Sequence, residues 1–404
     1  ILPLIKMTNN RNKSSYRFWP LSSWPLWLVG FRPFFALAIL SGLSLPVLWV
    51  LLYAGVVSAP ASSYSMVQWH AHEMFFGFGW AALGGFLLTS TKNWVKVRGY
   101  HGNSLMFLAA AWLFERAGMW CEGFWPPLLF RLSNNLFLVS IVALLMWTLI
   151  RHRRNDSYRD NYFFLLVLPL FPLAKYLVLS PDDFQAGSSM AIGLFRMAFL
   201  LMLERTLTQF MQGVYKVGIL RNAALDTAIK TLGLVLVFES LLPSALAGGS
   251  ALVLAVLLAG RFLFWMPQLA MRRVDIGIMY LGYLAIVAQL LINFTSRVVL
   301  GEWPGSLSVH VFTFGAMGLI IPAMLIRIAK GHTGRKPVFD AVDKLGLWIM
   351  LLAFTLRVIA TQTVPAAYQY WIALSAACWF ASFALLAWRY IPYLVQPRID
   401  GKEH

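Results

Sequence analysis

Trp69-His70-Ala71-His72-Glu73-Met74-Phe75-Phe76-Gly77-Phe78-Gly79 opens an apolar run that continues without a break to about position 90. A helix of about 20 apolar residues crosses a bilayer core, so this run reads as a membrane span. Its first turn nevertheless holds two histidines, a glutamate and a methionine. Ionisable groups at the mouth of a membrane helix are costly and mark functional positions by default.

The rest of the chain has the same character. Of 404 residues, 59% are hydrophobic and 12% charged, about half the charged share of a soluble protein. The apolar runs are long and continuous, not short and alternating, which argues against a β-barrel. The expected fold is an all-α, polytopic integral membrane protein with about twelve transmembrane helices. Their ends fall at about 27–55, 68–90, 104–121, 127–150, 161–180, 186–212, 223–243, 250–271, 276–297, 307–329, 342–361 and 367–391. Residues 1–26 read as a cytoplasmic N-terminal tail, with Met7 a candidate start, and no cleavable signal peptide is recognised. Residues 27–392 form the transmembrane domain and 393–404 a cytoplasmic C-terminal tail. Every connection is too short to hold a soluble domain.

Charge supports this count. The chain carries 33 Lys and Arg against 16 Asp and Glu, a net +17. On a soluble protein that balance would suggest nucleic acid. Here the basic residues fall in alternate loops: Lys92, Lys96 and Arg98, then Arg151, Arg153, Arg154 and Arg159, then Lys216 and Arg221, then Arg272 and Arg273, then Lys330, Arg335, Lys336 and Lys344. The intervening loops hold almost none; they carry Asp182, Asp183 and Glu302. The positive-inside rule predicts this alternation with both termini cytoplasmic. Membrane lipids are then the expected partners, and nucleic acid is not.

Of seven histidines, His101, His152 and His404 read as solvated. His70, His72 and His310 open the second and tenth spans at the outer face. His332 follows the tenth span on the inner side, about 33 Å along a helix from His310, so those two cannot share a metal. At 100° per residue, His70 and His72 point about 160° apart. Either they serve different centres, or the turn is irregular and they converge. The runs His72-Glu-Met-Phe-Phe-Gly77 and His310-Val-Phe-Thr-Phe-Gly315 share H-x-x-x-F-G, so the two mouths are built alike. Imidazole suits iron and copper, and thioether suits Cu(I). Met74 is therefore a candidate helper ligand, with packing its bland alternative. His332 lies in the basic turn Gly331-His332-Thr333-Gly334-Arg335, a candidate metal ligand or a lipid-phosphate contact. Buried arginines outnumber the acids available to them. Arg116 and Arg297 in the outer halves, and Arg32 towards the inner side, are candidates for a carboxylate-bearing cofactor. Cys121 and Cys378 form no CxxCH motif, which excludes covalent c-type haem attachment.

Five motifs in order resemble the NnrS family: Gly30-Phe31-Arg32-Pro33-Phe34-Phe35, the run 69–74, Asn161-Tyr162-Phe163-Phe164, His310 with Gly315-Ala316-Met317-Gly318, and the turn 331–335. The chain departs from the family where a G-R-x-x-P-x-F-like run is expected and Arg205-Thr-Leu-Thr-Gln-Phe210 stands instead. The resemblance implies a bacterial inner-membrane protein containing haem and copper. It also implies a part in nitric oxide metabolism or relief of nitrosative stress, with nitric oxide as ligand. Haem-copper oxidases also carry H-x-H on one helix, but this chain lacks their adjacent His-His pair, so reduction by their mechanism is not expected. The rival readings are a proton-linked transporter of a small anion and a quinol-linked electron-transfer protein.

Overall fold

The computed structural model describes residues 21–299 and 306–402. The basic residues of the expected N-terminal tail, Glu302 and His404 lie outside them. Among the described residues there are twelve long helices and no strand. They are α1 (Phe31–Tyr53), α2 (Met66–Trp94), α3 (Asn103–Cys121), α4 (Pro127–Arg151), α5 (Arg159–Leu179), α6 (Phe184–Tyr215), α7 (Ala223–Val235), α8 (Ser244–Leu263), α9 (Val274–Val299), α10 (Leu307–His332), α11 (Ala341–Thr363) and α12 (Pro365–Val395). Ten of these are long and apolar enough to cross a membrane. The other two, α3 and α7, occupy the third and seventh expected spans. The chain is an all-α polytopic membrane protein.

Local sequence sets the boundaries. Ser65 caps α2 by accepting from Gln68 N at 3.2 Å, while the Gln68 side chain accepts from Ser65 N at 3.0 Å. Asp340 and Asp343 close the same reciprocal box at the start of α11, satisfying backbone donors that a helix end leaves free. The last helix runs on to Val395, past the expected end of its span, before the chain turns back.

Alternate connections meet at the same end of the bundle. At one end Gly123 N donates to Ala61 O at 2.7 Å and Gln68 Nε2 to Val178 O at 3.4 Å. At the other, Ser157 N donates to Trp94 O at 2.9 Å and Ile399 N to Thr333 O at 3.1 Å. The basic loops gather at this second end, as the charge alternation requires.

Burial grades the helices. In α2 and α6, 89% of the apolar stretch is buried, and in α10 78%; in α11 it is 33% and in α8 39%. The outer helices turn residues such as Leu128, Trp147 and Trp388 outward, as lipid contact allows. Small residues bring backbones together: a Cβ on Gly187 would lie 2.3 Å from Val178 N, so α5 and α6 touch closely there.

Candidate functional site

Among the described residues four segments depart from α-helical hydrogen bonding into the wider i→i+5 pattern: Glu73–Gly79 in α2, Thr295–Val299 in α9, Val311–Met317 in α10 and Leu356–Ala360 in α11. Such π turns are rare and recur at functional sites. Two of them begin on the residue after His72 and after His310, so the H-x-x-x-F-G echo is a repeated local structure. The other two contain Arg297 and Arg357. The wider turn frees backbone groups, and Trp112 Nε1 donates to Gly77 O at 3.1 Å.

The histidines of the opening run go to different neighbours. His70 stacks on Trp49 of α1, with ring centroids 4.1 Å apart and planes 22° from parallel. Its Nδ1 is buried and has no hydrogen-bond partner among the described residues. His310 of α10 lies near enough to His70 for their charges to interact, and the Arg357 charge acts on both rings. His310 Nδ1 sits 2.9 Å from Ser306 O and donates to it. That contact fixes the tautomer and leaves the lone pair on Nε2, which faces Arg357 Nη2 at 3.2 Å. Arg357 also reaches Ser306 Oγ at 3.3 Å and Tyr368 OH at 3.4 Å. Among the described residues no carboxylate pairs with it. This first cluster is thus two imidazoles and a buried guanidinium.

His72 is fully buried in a second cluster. Its Nδ1 lies 3.1 Å from Glu73 Oε1, and its Nε2 lies 3.3 Å from Glu115 Oε1 and 3.4 Å from Asn134 Nδ2. Glu115 also meets Lys175 at 2.7 Å and Arg116 at 3.2 Å; Arg116 meets Glu73 at 3.3 Å. Lys175 donates further to Asn134 O. Both ring nitrogens of His72 therefore already face protein groups. The thioether next to this network is Met119, whose Sδ accepts from Asn134 Nδ2 at 3.3 Å; Met74 packs against the apolar core.

Gly77 makes this cluster fit. A Cβ there would lie 2.2 Å from Arg116 Nη1. Gly77→Ala is expected to push the Arg116 guanidinium, the far end of a flexible side chain, off Glu73 and Glu115, at the lower end of the about 1–3 kcal/mol usual for overpacking a filled interior. Thermal denaturation in detergent reads this; an unchanged midpoint would contradict the packing.

A third polar cluster links Arg196 to Gln289 Oε1 at 3.0 Å, Gln289 to Ser308 at 3.3 Å, and Ser308 to Asn293 at 2.6 Å. It ends at Glu239, paired with Arg297 at 3.4 Å. Arg116 and Arg297, expected to face a carboxylate-bearing cofactor, thus each lie against a protein carboxylate.

Arg32 and His332 are at the opposite end, apart from these clusters. Arg32 Nη1 donates to Leu394 O and Gln396 O, both at 2.7 Å, and so helps hold the segment after α12. His332 lies 5.4 Å from the Phe31 ring, and its carbonyl accepts from Arg398 at 3.1 Å. Arg398 also bonds Asp400 and holds that carboxyl down at about 2. Nearby, Arg205 bonds Asn161 Oδ1 at 2.8 Å and Asp160 at 2.7 Å, and its guanidinium lies 4.2 Å from the Tyr158 ring centroid. Asn161 of the N-Y-F-F motif and the departing segment at 205 are therefore structural partners.

Sequence reasoning missed Trp49, Lys175, Asn134, Met119 and Arg357 as site residues. Lys175 had a signal, a lone lysine inside the apolar run Leu170–Leu179. The others become visible only through packing between distant helices. Among the described residues no three His, Cys, Asp or Glu side chains converge as a metal-binding set.

A family model described as NnrS protein matches residues 25–398. A search of curated proteins found no match.

Proposed function

The chain belongs to the NnrS family, membrane proteins linked to the nitric oxide response, and on that premise we propose that it holds haem between α2 and α10 and binds or turns over nitric oxide. The supporting observation is the first cluster. Two histidines from two helices converge beside an arginine that pairs with no described carboxylate.

The residues fit haem. His310 has Nδ1 anchored on Ser306 and its lone pair on Nε2. His70 is pinned by Trp49 and keeps a buried ring nitrogen with no partner among the described residues. His310 and His70 would hold the iron through their ring nitrogens, and Arg357 would pair with a propionate. Haem supplies an iron that exchanges one electron and takes a diatomic ligand. The protein's part is to hold the ring in an apolar site, shield it from water and balance the propionate charge. Copper fits less well. No converging set of three ligands is present among the described residues.

The same reading sets the protein in the bacterial inner membrane with the basic loops and both termini cytoplasmic. The haem then lies in the outer half. The basic turn at His332 faces the anionic headgroups of the inner leaflet.

The visible spectrum of the purified protein tests this proposal. A Soret band with stoichiometric iron is expected, shifting when nitric oxide meets the reduced protein. Absence of both would overturn it and favour the small-anion transporter, for which the cation Arg357 would equally serve.

A further inference from the structure

The three helices α2, α6 and α10 stand four apart in the chain and are the most buried of the ten apolar helices. Their sequences share a register. His72-Glu-Met-Phe-Phe-Gly77, Ser188-Ser-Met-Ala-Ile-Gly193 and His310-Val-Phe-Thr-Phe-Gly315 each place a polar residue five positions before a glycine. In space the same register returns around an apolar cavity of about 40 Å³ between the three helices.

Counted from His72, Ser188 and His310, the tenth residues on are Ala82, Ala198 and Ile320, and all three line the cavity. The eleventh are Leu83, Phe199 and Ile321, which line it too. The fourteenth, Phe86, Met202 and Met324, close its far side. Seven residues on, Gly79, Phe195 and Met317 meet: a Cβ on Gly79 would lie 2.8 Å from the Phe195 ring and 3.0 Å from Met317 Cε. Three helices turning the same offsets to one point are related by an approximate three-fold axis, and the cavity lies on it.

On such an axis three large side chains would collide, and small ones leave a gap. Ala82 and Ala198 leave this one. The lining is apolar, so the space stays dry, and the residues named are at most 8% exposed, which keeps out lipid chains. The cavity lies about 15 Å, ten residues, along the helices from the histidines. We propose that this axial cavity is a binding site for a small apolar gas molecule, and nitric oxide is its occupant if the reading above holds.

Xenon tests the site without requiring haem. Purified protein titrated with xenon-129 in detergent should show one saturable site by nuclear magnetic resonance, and nitric oxide should compete for it. Ala198→Leu, which fills the cavity, should weaken xenon binding at least ten-fold. Met324→Ala, which enlarges it, should strengthen binding and gives a second reading if the filled variant does not fold. No saturable xenon binding, or binding indifferent to both substitutions, overturns the site. Xenon binding without competition by nitric oxide overturns the assignment of that occupant, whatever the haem content proves to be.

Discussion

Glu115→Ala is expected to destabilise the protein by about 3–5 kcal/mol, the loss typical when one partner of a buried ion pair is removed. Glu115 is 1% exposed and stands at 2.7 Å from Lys175, 3.2 Å from Arg116 and 3.3 Å from His72. Its removal leaves Lys175 and Arg116 with Glu73 as the remaining acid of the cluster. In a bundle interior, water cannot take up the difference. Adding Lys175→Met should recover much of the loss, because the pair then leaves together. Their non-additivity measures the coupling. Thermal denaturation of the single and double variants in one detergent reads both effects. A single variant within about 1 kcal/mol of the parent would mean that the cluster is more hydrated than the 1% exposure of Glu115 and Lys175 implies.

His310→Ala should abolish the haem spectrum or shift it strongly, with a smaller effect on stability. His310 is the histidine whose tautomer the structure fixes, through Nδ1 donating to Ser306 O at 2.9 Å. If the proposal holds, loss of that ring removes a nitrogen that would hold the iron, together with the group that Arg357 faces. Arg357→Leu should then weaken haem retention without bleaching what remains, because the guanidinium holds charge and not iron. Haem content and the reduced-minus-oxidised spectrum separate the two outcomes. An unaltered spectrum in His310→Ala would remove this residue from the site.

Much of the fold could be read from the residues. Apolar runs of membrane length and basic residues in alternate loops anticipate both the helices and the gathering of basic loops at one end. The divergence of His70 and His72 is one of two readings of their spacing, since 100° per residue turns two such neighbours apart while an irregular turn could bring them together. The π turns could not, because an i→i+5 bond leaves no composition of its own; the echoed H-x-x-x-F-G becomes their signature only once both are seen. Trp49 and Arg357 lie 21 and 287 positions from His70, and only tertiary packing brings them to it. Arg116 and Arg297 suit a cofactor on charge alone, whereas the fold gives each an internal carboxylate. The register shared by α2, α6 and α10 is hidden because Ser188 stands where the other two have histidine, and α6 has no π turn there.

The measurement closest to the central claim is haem per chain in His70→Ala and His72→Ala, two substitutions two residues apart. His70 lies with His310 and Arg357, while His72 is enclosed by Glu73, Glu115 and Asn134. Haem should be lost from the first variant and kept by the second, even if the second is less stable. Haem retained without His70 and lost without His72 would place the cofactor in the ion-pair cluster and contradict the site described.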